Sequence, residues 1–378
     1  MNLLADLTDV ELVGKRVLLR VDLNVPIENG TVRDDFRIKR AIPTIKKLLN
    51  AGARVTLLSH SSEPGASLAL IADYLQQFFP VIFVKNVNDV PDSAHWAEGS
   101  VVLLENLRLD PREENNSSEF AQELAKLGDI YINEDFPVSH RAHASIVSLP
   151  RLLPSYAGLQ FAEEVKQLSE LFKPEQPLVV IIAGAKFGTK LSLVQKFLPL
   201  AEKIFIGGAL AHPIFKLLGY EIGQSLCDDS LKDLESLATD PKIVLPSEVL
   251  VKRGDEVGST TPDQVPRDGI IVDAGPAALG QLSELISEAK TVLWNGPLGN
   301  YEQGFVSPTH DLAQVLAASG AHSVVGGGDT IAALEKLNLF DKFGFVSTGG
   351  GAMLDFLATG TLPGIEALEA SEQKFFNK

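Results

Sequence analysis

Short apolar runs rich in valine, isoleucine and leucine alternate along this chain with stretches whose apolar residues recur at helical spacing. Arg16–Val21, Arg54–Ser59, Val101–Leu104 and Asp129–Ile132 predict buried strands in the first half. In the second half Leu178–Ala183, Lys203–Ile206, Ile243–Leu245, Ile270–Val272, Thr291–Trp294 and Ser323–Val325 predict the same. Between them Ile42–Asn50, Leu68–Phe79, Glu119–Lys126, Lys190–Leu198 and Pro308–Ala317 read as amphipathic helices. Strands that are apolar throughout are covered on both faces, and a strand, helix, strand order at this spacing implies parallel sheets. The predicted fold class is therefore α/β, with two doubly wound, Rossmann-like parallel-sheet domains.

A boundary is legible at residues 160–173, a helical pattern ending in Lys173-Pro174-Glu175-Gln176-Pro177. Two prolines so close stop a helix before the next strand. The expected division is residues 1–159, a connecting helix at 160–173, a second domain at 174–361 and a tail at 362–378. Composition adds what the pattern does not. At 378 residues, 45% hydrophobic and 22% charged, the chain has enough apolar material for two folded cores. No apolar run approaches the roughly 18–20 residues of a membrane helix, and no basic-then-apolar leader opens the chain. Cys227 is the only cysteine, which excludes an internal disulfide framework and a cysteine-rich zinc site. The expectations are a cytoplasmic monomer that engages neither membrane nor nucleic acid. The formal net charge of −16 supports the second of these, because a polyanion would be repelled.

Open α/β sheets bind ligands at the carboxyl ends of their strands, so residues just past each strand carry the chemistry. In the first half those residues are polar and cationic: Asp22 and Asn24 after the first strand, Arg37 shortly beyond, His60 after the second, then Arg108 and Arg141. Arg37, His60, Arg108 and Arg141 converge on one edge if the strands are parallel, and guanidinium groups there suit a small phosphate or carboxylate. In the second half the same places hold glycine: Gly184-Ala185-Lys186, Gly207-Gly208, Asn295-Gly296-Pro297-Leu298-Gly299, Gly326-Gly327-Gly328-Asp329-Thr330 and Gly349-Gly350-Gly351. Glycine admits close backbone approach and helix N-termini attract phosphate, with Lys186 and Lys190 to neutralise it and Asp329 to hold Mg²⁺. The Walker pattern is absent because Thr189 separates Gly188 from Lys190, and no G-x-G-x-x-G follows the first strand of either half. That argues against a dehydrogenase. His140 and His143 lack a cysteine or third ligand beside them, which argues against a metal centre there.

Taken in order, these segments resemble phosphoglycerate kinase over essentially the whole chain. The resemblance runs through Arg20-Val21-Asp22-Leu23-Asn24-Val25-Pro26, Asp34 to Ile38, Ser59-His60, Leu104 to Arg108 and His140 to Ser145. It continues through Gly184-Ala185-Lys186, Lys190, Trp294 to Gly299, Glu302, Gly326 to Thr330 and Ser347 to Ala352. It implies reversible phosphoryl transfer between 1,3-bisphosphoglycerate and ADP, giving 3-phosphoglycerate and ATP, the glycolytic reaction. By resemblance the first domain takes the acid, with Asp22, Asn24 and His60 on the glycerate, Arg108 and Arg141 on its phosphate, and Arg37 facing the migrating phosphoryl group. The second takes the nucleotide and Mg²⁺: Lys186 and Lys190 on phosphate, Asp329 on the metal, Thr330 and Gly350 near the phosphates, Glu302 on the ribose. Gly184, Gly208, Asn295 and Gly328 line the same nucleotide wall. Catalysis is expected from Arg37, Lys190 and Lys186. The tail from Leu362 is expected to return to the first domain.

The sequence departs from the family where His-Leu-Gly-Arg-Pro becomes His60-Ser61-Ser62-Glu63-Pro64 in a shortened loop. A phosphate-binding arginine has become an acid, a loss of roughly 1.5–3 kcal/mol for one charge-assisted hydrogen bond. Either Glu63 faces the phosphate and weakens binding, or the short loop leaves it in solvent. Pro137 stands where glycine is usual, Ala209 replaces a third glycine, and Ala277-Ala278 replace a Lys-Ser/Thr pair. Two alternatives follow from these departures: a catalytically impaired nucleotide-binding relative, or a kinase for another small carboxylate.

Overall fold

The computed structural model describes every residue of the chain except 93–95, 97, 98, 186, 229–233, 377 and 378. The chain divides into two compact units, Met1–Lys166 with Thr361–Lys378, and Gln167–Gly360. Among the described residues no helix is long and apolar enough to cross a membrane.

Unit 1 is built on a six-stranded parallel sheet in the order Val81–Val84, Val101–Leu104, Arg54–Leu58, Arg16–Arg20, Ile130–Asn133, Ser155–Ala157. Its first strand is central. The chain fills one side of it and then the other, so the order reverses beside Arg16–Arg20. Register places Arg20 opposite both Leu58 and Asn133. Asp22, His60 and Asp135, each two residues past a strand end or nearly so, therefore emerge together at a switch point. Phe36–Asn50 covers one face, burying Ile38, Ala41, Ile42, Ile45 and Leu48 at helical spacing against Val17, Leu19, Val55 and Leu57. The C-terminal helix Pro363–Phe375 packs on the same unit: the Gly364 amide donates to the Ser139 carbonyl at 2.9 Å, and the Ser371 hydroxyl to the Leu153 carbonyl at 2.9 Å.

Unit 2 repeats the plan in the order Ile243–Val244, Lys203–Ile206, Leu178–Ile182, Thr291–Asn295, His322–Gly326, Phe345–Val346, again six parallel strands with the first central. Asn295 aligns with Ile182 and with Gly326, so Ala183, Gly296 and Gly327 leave the sheet side by side. The pattern thus predicts both sheets, with one correction. Ile270–Val272 does not join the parallel sheet; Ile270–Ala274 runs antiparallel to Val249–Arg253, itself paired with Glu256–Thr260. Glu256–Val257-Gly258-Ser259 is exposed, so this small sheet has a wet edge rather than two covered faces.

Candidate active site

The acid-binding residues predicted from sequence are brought together in unit 1, on a foundation the sequence reading did not assign. Arg20 ends the central strand with its side chain fully buried. Its guanidinium donates to Asp135 Oδ2 at 2.5 Å, the Val21 carbonyl at 3.0 Å and Ser145 Oγ at 3.0 Å. Ser145 in turn donates to the buried Glu113 carboxylate through its hydroxyl at 2.5 Å and its amide at 2.9 Å. Burial pushes the carboxyl of Asp135 up, to about 7, against the opposing pull of Arg20. Direct contact with a guanidinium that cannot release its proton keeps Asp135 the anionic partner.

A last Arg20 contact fixes the state of His60. Arg20 Nη2 lies 3.0 Å from His60 Nδ1, and a guanidinium only donates, so Nδ1 is the acceptor and Nε2 carries the proton. Burial first, and then Arg20, Arg108, His143 and Arg37, hold this imidazole well below its ordinary pKa. His60 is thus a neutral Nε2–H donor. His143, also buried, is lowered to about 4 by burial and by Arg108, Arg20 and Arg141.

Around this core the remaining predicted residues are linked in pairs. Arg37 Nη1 donates to Asp22 Oδ2 at 2.9 Å, while Asp22 Oδ1 accepts from the Asn24 amide at 3.0 Å. Asp22, chiefly, holds the Arg37 guanidinium above its usual pKa. Arg108 is half-buried, lies 3.5 Å from Glu114 through Nε, and is lowered by burial and by the charges of Arg141 and Arg20. Arg141 is exposed beside it, its amide bonded to the Val138 carbonyl at 2.9 Å. Burial and the charges of Arg141 and Arg20 act on Arg108 in the same direction, so an anionic ligand beside it is favoured.

The departures from the family pattern also find places. The loop after Ser59 is pinned by Asn106 and Glu105: Asn106 Oδ1 accepts from the Ser61 amide at 3.2 Å, its Nδ2 donates to the Ala66 carbonyl at 2.8 Å, and Glu105 accepts from Leu68 and Ser67. Glu63 is exposed on that loop, and among the described residues its carboxylate makes no ion pair. The loop thus leaves Glu63 in solvent, the milder of the two outcomes expected. Pro137 lies in the opening turn of a 3-10 helix, Phe136–Val138, capped by Asp135; a missing N–H there breaks no helical bond. At Ala277 the lost cap is replaced by Glu248, whose Oε2 accepts from the Ala277 amide at 2.8 Å.

In unit 2 the glycines bring backbone against backbone. Gly296 has φ +97°, and a Cβ there would stand 2.1 Å from the Ala183 carbonyl oxygen and 2.6 Å from Lys190 Nζ. Gly208, at φ +58°, would place one 2.6 Å from the Gly184 nitrogen. Only glycine closes this surface. Lys190 is buried in the first turn or so of Phe187–Phe197 and donates to the Ala183 carbonyl. Thr330 Oγ1 accepts from the Gly296 amide at 3.1 Å, and the buried Asn295 Nδ2 faces Gly327 with no protein partner among the described residues. Gly328 begins the helix Gly328–Lys336, with Asp329 half-buried in its first turn, and Gly350, at φ +50°, precedes the helix Gly351–Thr359. Glu302 is exposed in the turn Tyr301–Gln303. Lys186 lies outside the described residues. Arg20, Glu113 and Asp135 underpin the acid site and were given no role from sequence, while His143, weighed there only as a metal ligand, lies among these cations. An arginine closing an otherwise apolar strand was the available signal for Arg20.

Two parallel sheets, one with cations at its switch point and the other with glycine turns and a buried lysine, define an α/β phosphotransferase. A family model described as phosphoglycerate kinase matches residues 7–360. The chain is 40% identical to a phosphoglycerate kinase of Thermus thermophilus, covering 96% of this chain and 99% of that protein, and 39% identical to one of Pelotomaculum thermopropionicum, covering 95% and 98%. Among solved structures it is similar to phosphoglycerate kinase from Coxiella burnetii (35% identity, TM-score 0.83, 98% and 99% covered). It is also similar to that from Pyrococcus horikoshii OT3 (28% identity, TM-score 0.85, 99% and 100% covered). The chain belongs to the phosphoglycerate kinase family.

Proposed function

We propose that the chain catalyses reversible transfer of a phosphoryl group between 1,3-bisphosphoglycerate and ADP, with the acid held by unit 1 and the nucleotide by unit 2. The observation that carries the assignment of the acid is the convergence of Asp22–Arg37, Asn24, His60 and Arg108 at one switch point of a parallel sheet. Asp22, Asn24 and the neutral Nε2–H of His60 take the glycerate oxygens, which need donors and acceptors rather than a titrating group. Arg108 and Arg141 take its phosphate, and binding relieves their mutual repulsion. Arg37, aimed by its ion pair with Asp22, stabilises charge on the phosphoryl group in flight. The attacking or leaving carboxylate is a weak base, so no side chain has to act as a strong general base.

On unit 2, Lys190, with Lys186, neutralises the nucleotide phosphates, and the amides at Gly184, Gly208, Gly328, Thr330 and Gly350 cradle them. Asn295 and Glu302 line the nucleoside side. Asp329 is a single half-buried carboxylate next to helix-start amides, which fits Mg²⁺ held by one carboxylate together with phosphate oxygens. Among the described residues no cluster of three or more histidine, cysteine or acidic side chains forms a dedicated cage. When bound, the ion neutralises charge between the phosphates. In-line transfer requires the two reactants to meet with water excluded. The protein acts in this reading as a cytoplasmic monomer.

A coupled assay with ATP, Mg²⁺ and 3-phosphoglycerate tests the proposal. Turnover at saturating acid is expected, and Arg37→Ala should lower kcat by about 10²–10³ with the KM for ATP little changed. Absence of turnover with the unmodified protein would overturn the assignment.

A further inference from the structure

Ser62 sits where the family carries a glycine and next to the position that has lost its arginine. Its hydroxyl is not an idle surface group. Oγ accepts from Asn24 Nδ2 at 2.9 Å and lies 3.4 Å from Arg108 Nη1, while the Ser62 amide donates to Asn24 Oδ1 at 2.8 Å. Two residues assigned to the acid, one on each side of it, are therefore joined through this one oxygen. A serine oxygen has two lone pairs and one proton. With both lone pairs taken by donors that cannot accept, the proton is left to donate, and among the described residues no protein acceptor takes it. The side chain is exposed, on a backbone that Asn106 and Glu105 hold in place.

We propose that Ser62 is a specificity-determining residue of the acid site, its hydroxyl donating to an anionic oxygen of the bound phosphorylated acid in place of the arginine lost at position 63. The inference rests on unit 1 being the acid site. It gives the remodelled loop a function: the substituted loop exchanges a cation for a neutral donor on a backbone that Asn106 and Glu105 hold. Because Asn24 and Arg108 polarise the same hydroxyl, its proton is more acidic toward an anion than that of an isolated serine. The bond replaces only part of what a guanidinium supplies, so acid affinity depends on this side chain more than its exposure suggests.

The experiment compares Ser62→Ala, Ser62→Thr and Ser62→Gly with the unmodified enzyme, reading KM for 3-phosphoglycerate, kcat, KM for ATP and thermal midpoint. Ser62→Ala should raise the KM for 3-phosphoglycerate roughly five- to tenfold, within the range of one hydrogen bond to a charged group. The KM for ATP should stay within about twofold, since removing a single exposed contact to the acid leaves the nucleotide site untouched. Ser62→Thr, which keeps the hydroxyl, should recover most of the loss. A KM for the acid that stays the same in Ser62→Ala overturns the proposal, as does one that improves in Ser62→Gly, which would make the serine a competitor for the acid rather than its ligand. So does Ser62→Thr failing as badly as alanine at an unchanged thermal midpoint. Arg108→Ala, measured by calorimetric binding of 3-phosphoglycerate, separates the two levels. If it weakens binding and Ser62→Ala does not, only Ser62 is misassigned; if it has no effect, the acid site itself is misplaced.

Discussion

Replacing Asp135 by alanine would leave the Arg20 guanidinium fully buried without the anion that lies 2.5 Å from it. Breaking a buried ion pair from one side typically costs about 3–5 kcal/mol, most of it the penalty of an uncompensated buried charge. Two features place this case at the lower end. Arg20 keeps the Val21 carbonyl, Ser145 Oγ and His60 Nδ1 as acceptors, and Glu113 lies one hydroxyl away beyond Ser145. A loss of about 3 kcal/mol is expected for Asp135→Ala, and less for Asp135→Asn, which retains an acceptor. Since a two-unit chain need not unfold in one step, the assay should report on unit 1 alone. Hydrogen exchange of the amides in Arg16–Arg20 and Ile130–Asn133, followed by mass spectrometry, does so. Their protection should fall about 100-fold, while the Leu178–Ile182 strand is unchanged. The double variant Arg20→Leu/Asp135→Ala removes both charges and should lose less than the sum of the single changes. A decrease in protection below about threefold for Asp135→Ala would refute the reasoning, because the charge of Arg20 would then be satisfied elsewhere.

Further expectations concern the same surfaces. His143 is held at about 4 when folded against 6.5 ordinarily, so the native state binds fewer protons between those values. Its contribution is fully present above pH 6.5 and is lost as pH falls toward 4. Relative to His143→Gln, the unmodified protein should lose up to about 3 kcal/mol across that window in urea titrations; parallel curves would refute it. Gly296→Ala should abolish nucleotide binding measured by calorimetry while leaving acid binding intact, because its Cβ would meet the Ala183 carbonyl and Lys190 Nζ. Gly158→Ala places a Cβ 1.9 Å from Glu134 Oε2, which accepts from the Gln160 amide at 3.1 Å at the start of the helix Leu159–Glu170; a loss of about 1–3 kcal/mol in thermal or urea unfolding is expected.

The central strands were legible because each is a run of residues buried on both faces, as Leu178–Ile182 and Val101–Leu104 show. Edge strands such as Ser155–Ala157 and Phe345–Val346 carry too few residues for a period to emerge, and Val81–Val84 is only partly buried at the sheet edge. Ile270–Val272 was legible as a strand but not as an antiparallel one, since an apolar run does not say which neighbour it will find. Among site residues, those just past strand ends were legible by position, Asp22 and His60 included although both are buried. Asp135, Glu113 and Ser145 were not, because their roles arise from contacts with Arg20 made across long separations in sequence. Glu63 shows the converse: its charge was legible, but its exposure depends on how Asn106 holds the loop.

A net charge of −16 opposes the approach of anionic reactants, and the site in unit 1 contains the resolution. Three of the acids beside the cations are buried: Asp135 and Glu113 fully, and Asp22 against Arg37. They orient the guanidinium groups of Arg20 and Arg37, while the pKa of Arg108 is lowered by burial and by Arg141 and Arg20 despite Glu114 at 3.5 Å. The cost of crowding these cations is present before any ligand arrives and is removed when an anion binds, so it adds to the differential affinity for a phosphorylated carboxylate. The overall field then governs only how fast anions approach, an effect that salt screens over about 8–10 Å. Raising ionic strength should therefore speed association of the acid by screening the outer charge, yet weaken its final binding by screening Arg108 and Arg141. Opposite signs in the two measurements, by stopped-flow and by calorimetry, are what a cationic site recessed in an acidic protein requires.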